Sequence, residues 1–299
     1  MMGTSNYNLP LVLGTSSAKV PRDLNALSEA TDATIKSEVQ KIEGKFEEIK
    51  NLPPKPDFLN FIKTGGPIFY AHRGASTSAP ENTIPAFQLA GEFGFAGIET
   101  DIWRTTDGVW VCMHDETVDR MTNGTGMTEA LTSTYINSLT IDAGFNVALY
   151  DVLKVPTLQE YLTVCKTYSC TPVIEVKGTN TIPYLSELIN IFKASGVYDT
   201  VQVEFGDQAT ATAFRQLDKK IILHLLTGTT QASIDFIKTL GNTIAGMVYT
   251  AATEPVVSLF HQHGIPVSTF GVSNMAHVNA QISNNVDILI TDVHGGDTR

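Results

Sequence analysis

The pattern that most constrains this chain is an alternation of short β-branched strands and helical segments between Ile68 and Thr291. Strands are expected at Ile68–Ala71, Gly97–Trp103, Val109–His114, Pro172–Val176, Val201–Phe205, Ile221–Leu226, Ala245–Thr250, Pro266–Phe270 and Val286–Thr291. Helical segments such as Ile84–Gly91 and Thr157–Thr167 lie between most of them. Strands joined through helices run parallel, because the helix carries the chain back to the starting edge of the sheet. One connection breaks the rule. Only Arg-Thr-Thr-Asp-Gly separates Trp103 from Val109, too short for a parallel crossover but suited to a hairpin turned at Asp107-Gly108. Setting aside the returning arm leaves eight parallel strands, the number that closes a barrel. The expected fold is therefore α/β, a (βα)8 TIM barrel with a β-hairpin insertion after the second strand.

Upstream the pattern is different. Residues 1–22 are rich in Gly, Ser, Asn and Pro and read as extended or turn structure. From Asp23 to Lys50 only Gly44 interrupts a helical pattern, and Ile35, Val39, Ile42, Phe46 and Ile49 repeat at the spacing of a coiled-coil seam. This segment reads as a self-associating helical stalk, the alternative being a helix docked on its own domain. Asn51–Asp57 (NLPPKPD) carries three prolines and reads as a stiff linker. The expected division is 1–57, comprising attachment segment, stalk and linker, and 58–299, the barrel.

Charge separates the same two parts. Of the net charge of −11, residues 1–57 contribute −1 and residues 58–299 contribute −10. An acidic barrel is a poor partner for nucleic acid, whose affinity comes from neutralising phosphates. No apolar run approaches the roughly 18 residues of a membrane span, and the first 30 residues lack the basic start and apolar block of an ordinary signal peptide. Cys112, Cys165 and Cys170 form neither a disulfide framework nor a zinc pattern.

In a barrel of this type chemistry is placed at the C-terminal strand ends. Those ends carry His72-Arg73-Gly74 after the first strand, Glu99 and Asp101 on the second, Glu175 and Lys177 on the third parallel strand, and Glu204 on the fourth. Glu99 and Asp101 are two residues apart and so face one side. Glu175 can face them from the neighbouring strand. Three inward carboxylates raise one another's pKa unless a divalent cation neutralises them, and oxygen ligands select Mg2+, Mn2+ or Ca2+ over zinc. The hairpin brings His114 back to the level of these carboxylates, so His72 and His114 flank one metal site as an acid/base pair. Arg73 and Lys177 are the cations that an anionic phosphate requires.

The stretch AHRGASTSAPENTIPAFQLAGEFGFAGIETDIWRTTDGVWVCMHDETVDRMTNGTG, followed by IEVK at Ile174–Lys177 and ITD at Ile290–Asp292, resembles the glycerophosphodiester phosphodiesterase family. HRG, PENT with the following AF, ETD, TTDG and the HD-x-T-x2-R-x-T element stand in family order, and the resemblance covers residues 67–295. It implies a metal-dependent TIM-barrel hydrolase that releases an alcohol and glycerol phosphate. Glu99, Asp101 and Glu175 are then the metal ligands for one divalent cation, Ca2+ or Mg2+. His72 and His114 are the acid/base pair, and Arg73 and Lys177 the phosphate clamp. In the family mechanism the substrate's own 2-hydroxyl attacks phosphorus and water opens the cyclic phosphate. His72 then serves as base and His114 as acid, an assignment that spacing alone leaves open.

Two positions depart from the family. Glu204 replaces a small polar residue, adding a carboxylate that serves a second metal, a substrate amine, or merely a solvated strand end. Phe270 stands where Trp is common and still supplies an apolar wall. Asp115 is a candidate for orienting His114, and Asp292 for a hydrogen-bonding role near the mouth. His224, His261, His263, His277 and His294 read as structural or surface residues.

The N-terminal stretch NYNLPLVLGTSSAKVPRDLNALSEATDATI resembles the attachment segment of tail-fibre and baseplate proteins of phages of Gram-positive bacteria. That resemblance implies a phage virion tail location, other tail proteins as partners, a homo-oligomer through residues 23–50 with a trimer favoured, and wall or lipoteichoic acid of the polyglycerolphosphate type as substrate. The competing expectations are a receptor-binding protein that grips teichoic acid with little turnover, and a cellular enzyme of phospholipid salvage in the bacterial cytoplasm or outside the cell.

Overall fold

The computed structural model describes residues 66–293. The attachment segment, stalk and linker of residues 1–57, and His294, lie outside the described residues. The strands are β1 (Ile68–Ala71), β2 (Gly97–Arg104), β3 (Trp110–Cys112), β4 (Thr171–Val176), β5 (Gln202–Phe205), β6 (Ile222–Leu226), β7 (Thr243–Val248), β8 (Val267–Val272) and β9 (Ile288–Thr291). They form one sheet in the order β1-β9-β8-β7-β6-β5-β4-β2-β3, and a β1–β2 pairing closes it. Every pairing is parallel except β2–β3, the antiparallel hairpin. The result is a closed barrel of eight parallel strands with β3 outside it, consistent with the expected TIM barrel.

The helices are α1 (Ile84–Phe93), α2 (Ser133–Ser138), α3 (Leu158–Tyr168), α4 (Ile182–Ser195), α5 (Gln208–Leu217), α6 (Gln231–Leu240), α7 (Glu254–Gln262) and α8 (Met275–Ser283). Their ends are chemically marked. Thr83 caps α1 by accepting from the Ala86 amide, Pro85 sits in the first turn, and Gly94 ends it at φ 80°. Thr157 and Glu160 make a reciprocal capping box at α3. Leu158, Tyr161, Leu162 and Cys165, at helical spacing, turn the buried face of α3 inward.

Strand alternation sorts the core into layers. Tyr70, Val173, Ile244, Ile288 and Ile290 cluster together, whereas their sequence neighbours Phe69, Ala71, Ile174, Ala245 and Leu289 join the larger cluster shared with the helices. The first set lines the barrel interior and the second packs the strand–helix layer. Cys112 and Cys165 are buried in that layer, where desolvation pushes the Cys112 thiol up to about 12.

Some strand limits differ from the sequence expectation. β7 begins at Thr243 rather than Ala245, because Thr243 already pairs with Leu223, and it stops at Val248 where the chain leaves the barrel wall. The returning hairpin arm is shorter than Val109–His114. Its Cys112 amide turns to the Pro156 carbonyl at 2.8 Å, so this edge is shared with the chain leading into α3. Between β3 and α3 the chain also builds a lobe with its own apolar core of Val118, Met121, Ile136, Leu139, Ile141 and Leu153, packed on Trp103 and Met113.

A tight turn follows β1. Gly74 has φ 78°, and a Cβ there would lie 2.7 Å from the Ala86 carbonyl carbon at the start of α1. Gly74→Ala therefore meets both a disfavoured backbone conformation and a helix that cannot yield. The expected loss is more than about 1 kcal/mol of stability, read by urea denaturation.

Candidate active site and metal centre

The site is assembled from the ends of β1, β2 and β4. His72 continues the β1–β9 ladder, its amide donating to the Thr291 carbonyl at 3.1 Å. Arg73 then adopts φ 58° and Gly74 φ 78°, so two consecutive left-handed residues reverse the chain. This conformation turns the Arg73 amide onto Glu99 Oε2 at 2.9 Å, while the Arg73 carbonyl accepts from the Asn82 amide at 3.0 Å.

Glu99 and Asp101 project from the same face of β2, and Asp101 is the direct register partner of Glu175 on β4. One oxygen from each of Glu99, Asp101 and Glu175 lies within 4.8 Å of the others. Glu99 and Asp101 are 3% and 1% exposed, so water relieves little of their mutual repulsion. Burial and the Asp101 charge hold the Glu99 carboxyl well above its ordinary range. Burial likewise raises Glu175, with Asp101 adding to the effect and Lys177 opposing it. Asp101 goes the other way. Burial is outweighed there by Lys177, Arg73 and His114, and the Asn82 amide donates to Oδ2 at 3.0 Å.

Lys177 lies among these carboxylates, 2.7 Å from Glu175 and 3.2 Å from Asp101. Burial works against its charge, but the two carboxylates outweigh it and raise its pKa. Arg73 is also engaged, with Nη1 3.0 Å from Glu81 and Nε 3.5 Å from Asp101. Thus both cations expected to face phosphate are held by acids in this structure. The three carboxylates fit a hard divalent cation. Their oxygens are close enough to share one ion at 2.0–2.6 Å per bond, and such an ion would cancel the repulsion that raises Glu99 and Glu175.

Each expected histidine is fixed through Nδ1 by a carboxylate. His72 Nδ1 is 2.7 Å from Asp292 Oδ1, and Asp292 is held in turn by the Ser76 hydroxyl at 3.3 Å. Burial lowers the His72 pKa, but Asp292 and Glu99 reverse that and leave it raised. His114 Nδ1 is 2.8 Å from Asp115 Oδ1. Arg120 pairs with Asp115 through Nε at 2.5 Å, and its hydrogen bonds hold the Asp115 carboxyl at about 2. Glu99 feels the charge of His72, and Asp101 that of His114, so each imidazole lies close enough to the acidic group to act on one of its carboxylates.

The remaining candidates separate. Glu204 is no solvated strand end: it is 4% exposed, paired in register with Glu175 and with His224, and its Oε2 has no hydrogen-bond partner. It faces the barrel interior because β5 shares the alternation of β4. Phe270 packs against the interior cluster of Tyr70 and Ile288, as an apolar wall. His224 is a buried structural residue, bonded to Gln202 at 2.6 Å and Ser268 at 3.2 Å, and burial lowers its pKa to about 3. His261 pairs with Asp287, and His277 stacks on Tyr249. Sequence reasoning assigned no role to Glu81, Asn82 or Arg120, although PENT and HD-x-T-x2-R contain them.

The chain matches the model of the glycerophosphoryl diester phosphodiesterase family over residues 72–295. A glycerophosphodiester phosphodiesterase of Bacillus subtilis is 30% identical over 253 residues, covering 78% of this chain and 86% of that protein. The human glycerophosphodiester phosphodiesterase 1 is 43% identical over 109 residues, covering 36% of this chain, and the bovine one 38% over 136 residues, covering 45%. Those matches span only 33% and 38% of the mammalian proteins' lengths. Among solved structures, an Oleispira antarctica phosphodiesterase in complex with the product sn-glycerol-3-phosphate shares the fold at TM-score 0.71 and 22% identity, covering 79% of this chain and 96% of that one. With the family model matching most of the chain and a bacterial relative aligned along most of its length, this chain belongs to the glycerophosphoryl diester phosphodiesterase family.

Proposed function

We propose that this protein hydrolyses glycerophosphodiesters with the help of one divalent cation, Ca2+ or Mg2+. The observation that carries this reading is the pairing of two carboxylate-fixed imidazoles, His72 and His114, with the group of Glu99, Asp101 and Glu175, whose Glu99 and Asp101 feel their charges. The three carboxylates hold the cation, which when bound supplies Lewis-acid polarisation of the phosphoryl oxygens. Fixing Nδ1 leaves Nε2 of each imidazole for proton exchange. His72 takes the proton of the substrate's 2-hydroxyl as its oxygen bonds to phosphorus. His114 gives a proton to the departing alkoxide as the old P–O bond breaks. Water then opens the cyclic phosphate by the reverse proton movements. Arg73 and Lys177 exchange carboxylate contacts for phosphate oxygens when substrate and cation are present.

We also propose a polymeric substrate, the polyglycerolphosphate teichoic acid of Gram-positive walls, with the protein carried on a phage tail. Support comes from the resemblance of residues 6–35 to phage attachment segments and from the heptad spacing within residues 23–50, read as a trimeric stalk. Among the described residues no helix is long and apolar enough to cross a membrane. Salvage of small glycerophosphodiesters is the competing reading.

Purified protein given Ca2+ or Mg2+ should release glycerol phosphate from glycerophosphodiesters, and His72→Ala or His114→Ala should cut kcat by roughly 10²–10⁴-fold. Absence of release with either metal would remove the hydrolase assignment. Lipoteichoic acid should be turned over faster than glycerophosphocholine, and polymer carrying alanine or sugar on the 2-hydroxyl should resist. Equal rates on substituted polymer would exclude internal attack, while turnover of glycerophosphocholine alone would favour salvage.

The acidic interior also has a pH signature. Burial, with Glu175 and Asp101, raises the Glu204 pKa well above the ordinary 4.5, so the folded state binds that proton more tightly than the unfolded chain. Metal-free protein accordingly loses stability as pH climbs above 4.5 toward the raised value. In chelator, Glu204→Gln should melt higher than wild type, with a gap that widens from pH 5 to 8. A divalent cation at 100 times its Kd should stabilise the wild type by about 2.7 kcal/mol.

A further inference from the structure

We infer that Glu81 is a positioning residue that holds Arg73 partly away from the metal carboxylates and ties it to the support of His114. The inference rests on the hydrolase reading above and adds a residue to it. Glu81 lies in a turn that is fixed on both sides. The Thr83 hydroxyl donates to the Pro80 carbonyl at 2.6 Å and caps α1. Asn82, at φ 53°, accepts from the Thr100 hydroxyl at 2.7 Å while its amide holds Asp101. The backbone therefore places the Glu81 carboxylate rather than leaving it to wander.

Two arginines meet that carboxylate. Oε1 accepts from Arg73 Nη1 at 3.0 Å and from Arg120 Nη2 at 2.7 Å, and Oε2 accepts from Arg120 Nη1 at 3.3 Å. Arg120 continues to Asp115, and Asp115 to His114. A continuous chain of charge-assisted bonds thus runs from His114 to Arg73, with Glu81 as the acid that joins the two arginines.

The consequence concerns competition. Besides Glu81, the Arg73 guanidinium faces Asp101, whose Oδ2 lies 3.5 Å from an Nε that has no hydrogen bond of its own. Without the Glu81 charge, the guanidinium is drawn toward Asp101 and contests that oxygen with the cation. Glu81→Gln should therefore weaken cation binding, raise KM by misplacing Arg73, and lower kcat by loosening Arg120, Asp115 and His114.

The test titrates metal-free protein with Ca2+ and, separately, Mg2+ by calorimetry, then measures kcat and KM. Glu81→Gln should weaken cation binding roughly 10- to 100-fold, the usual range for residues that support ligands. Glu81→Asp, which keeps the charge, should recover part of that loss. Arg120→Lys should lower kcat while cation affinity stays at the wild-type value, because the Glu81–Arg73 pair remains. Glu187→Gln, which disturbs a half-buried pair with Arg104 outside this chain of bonds, is the control and should match wild type in every readout. Unchanged cation affinity in folded Glu81→Gln would overturn the inference, as would equal cation loss in Arg120→Lys. If Glu81→Gln does not fold, the Glu81→Asp and Arg120→Lys arms decide between the same outcomes. A wild type that binds cation but hydrolyses nothing would sink the hydrolase reading, and the affinity arm would still report on Glu81.

Discussion

The arrangement depends on one costly choice, the placement of four carboxylates inside a barrel. Glu99, Asp101, Glu175 and Glu204 share the interior with Tyr70, Val173 and Ile244, where a lone ionised acid is heavily penalised. Much of the local structure offsets that penalty. Lys177 lies between Glu175 and Asp101, the Arg73 amide serves Glu99, and Asn82 serves Asp101. The residual negative charge is what a divalent cation held by Glu99, Asp101 and Glu175 would neutralise.

The backbone is bent to the same end. Arg73 and Asn82 are non-glycine residues in the left-handed region, a conformation that costs free energy and persists where surrounding contacts over-determine it. Each uses it. The turn at Arg73 aims one amide at a carboxylate, and the turn at Asn82 lets one side chain bond both Thr100 and Asp101. Gly74 makes the compact reversal sterically feasible, so HRG is a unit in which the glycine positions what the other two supply.

Much of this was legible in the sequence, for reasons that are local. Period-two alternation placed Glu99 and Asp101 on one face, and the five residues between Trp103 and Val109 forced the hairpin that returns His114. Roles that depend on encounters between distant loops were hidden. Glu81 and Arg120 are 39 positions apart and meet only because the lobe folds back over the PENT turn. For Glu204 the sequence left a solvated strand end open beside a second metal or a substrate amine, and only its register with Glu175 and His224 shows that it lies inside. The lobe's core escaped notice because Val118, Ile136 and Leu153 follow neither helical nor strand periodicity.

That lobe is a second hydrophobic body, packed beside the barrel instead of within it. His72 belongs to the barrel, whereas His114 sits where the chain passes into the lobe, and Glu129 of the lobe accepts from the Thr179 amide just beyond Lys177. Cooperative units of this kind open at their own free energies. An opening confined to the lobe would separate the two imidazoles while the eight strands remain closed. The spacing of the two imidazoles therefore depends on the lobe as well as on the barrel, and reshaping the lobe would shift His114 without rebuilding the eight strands.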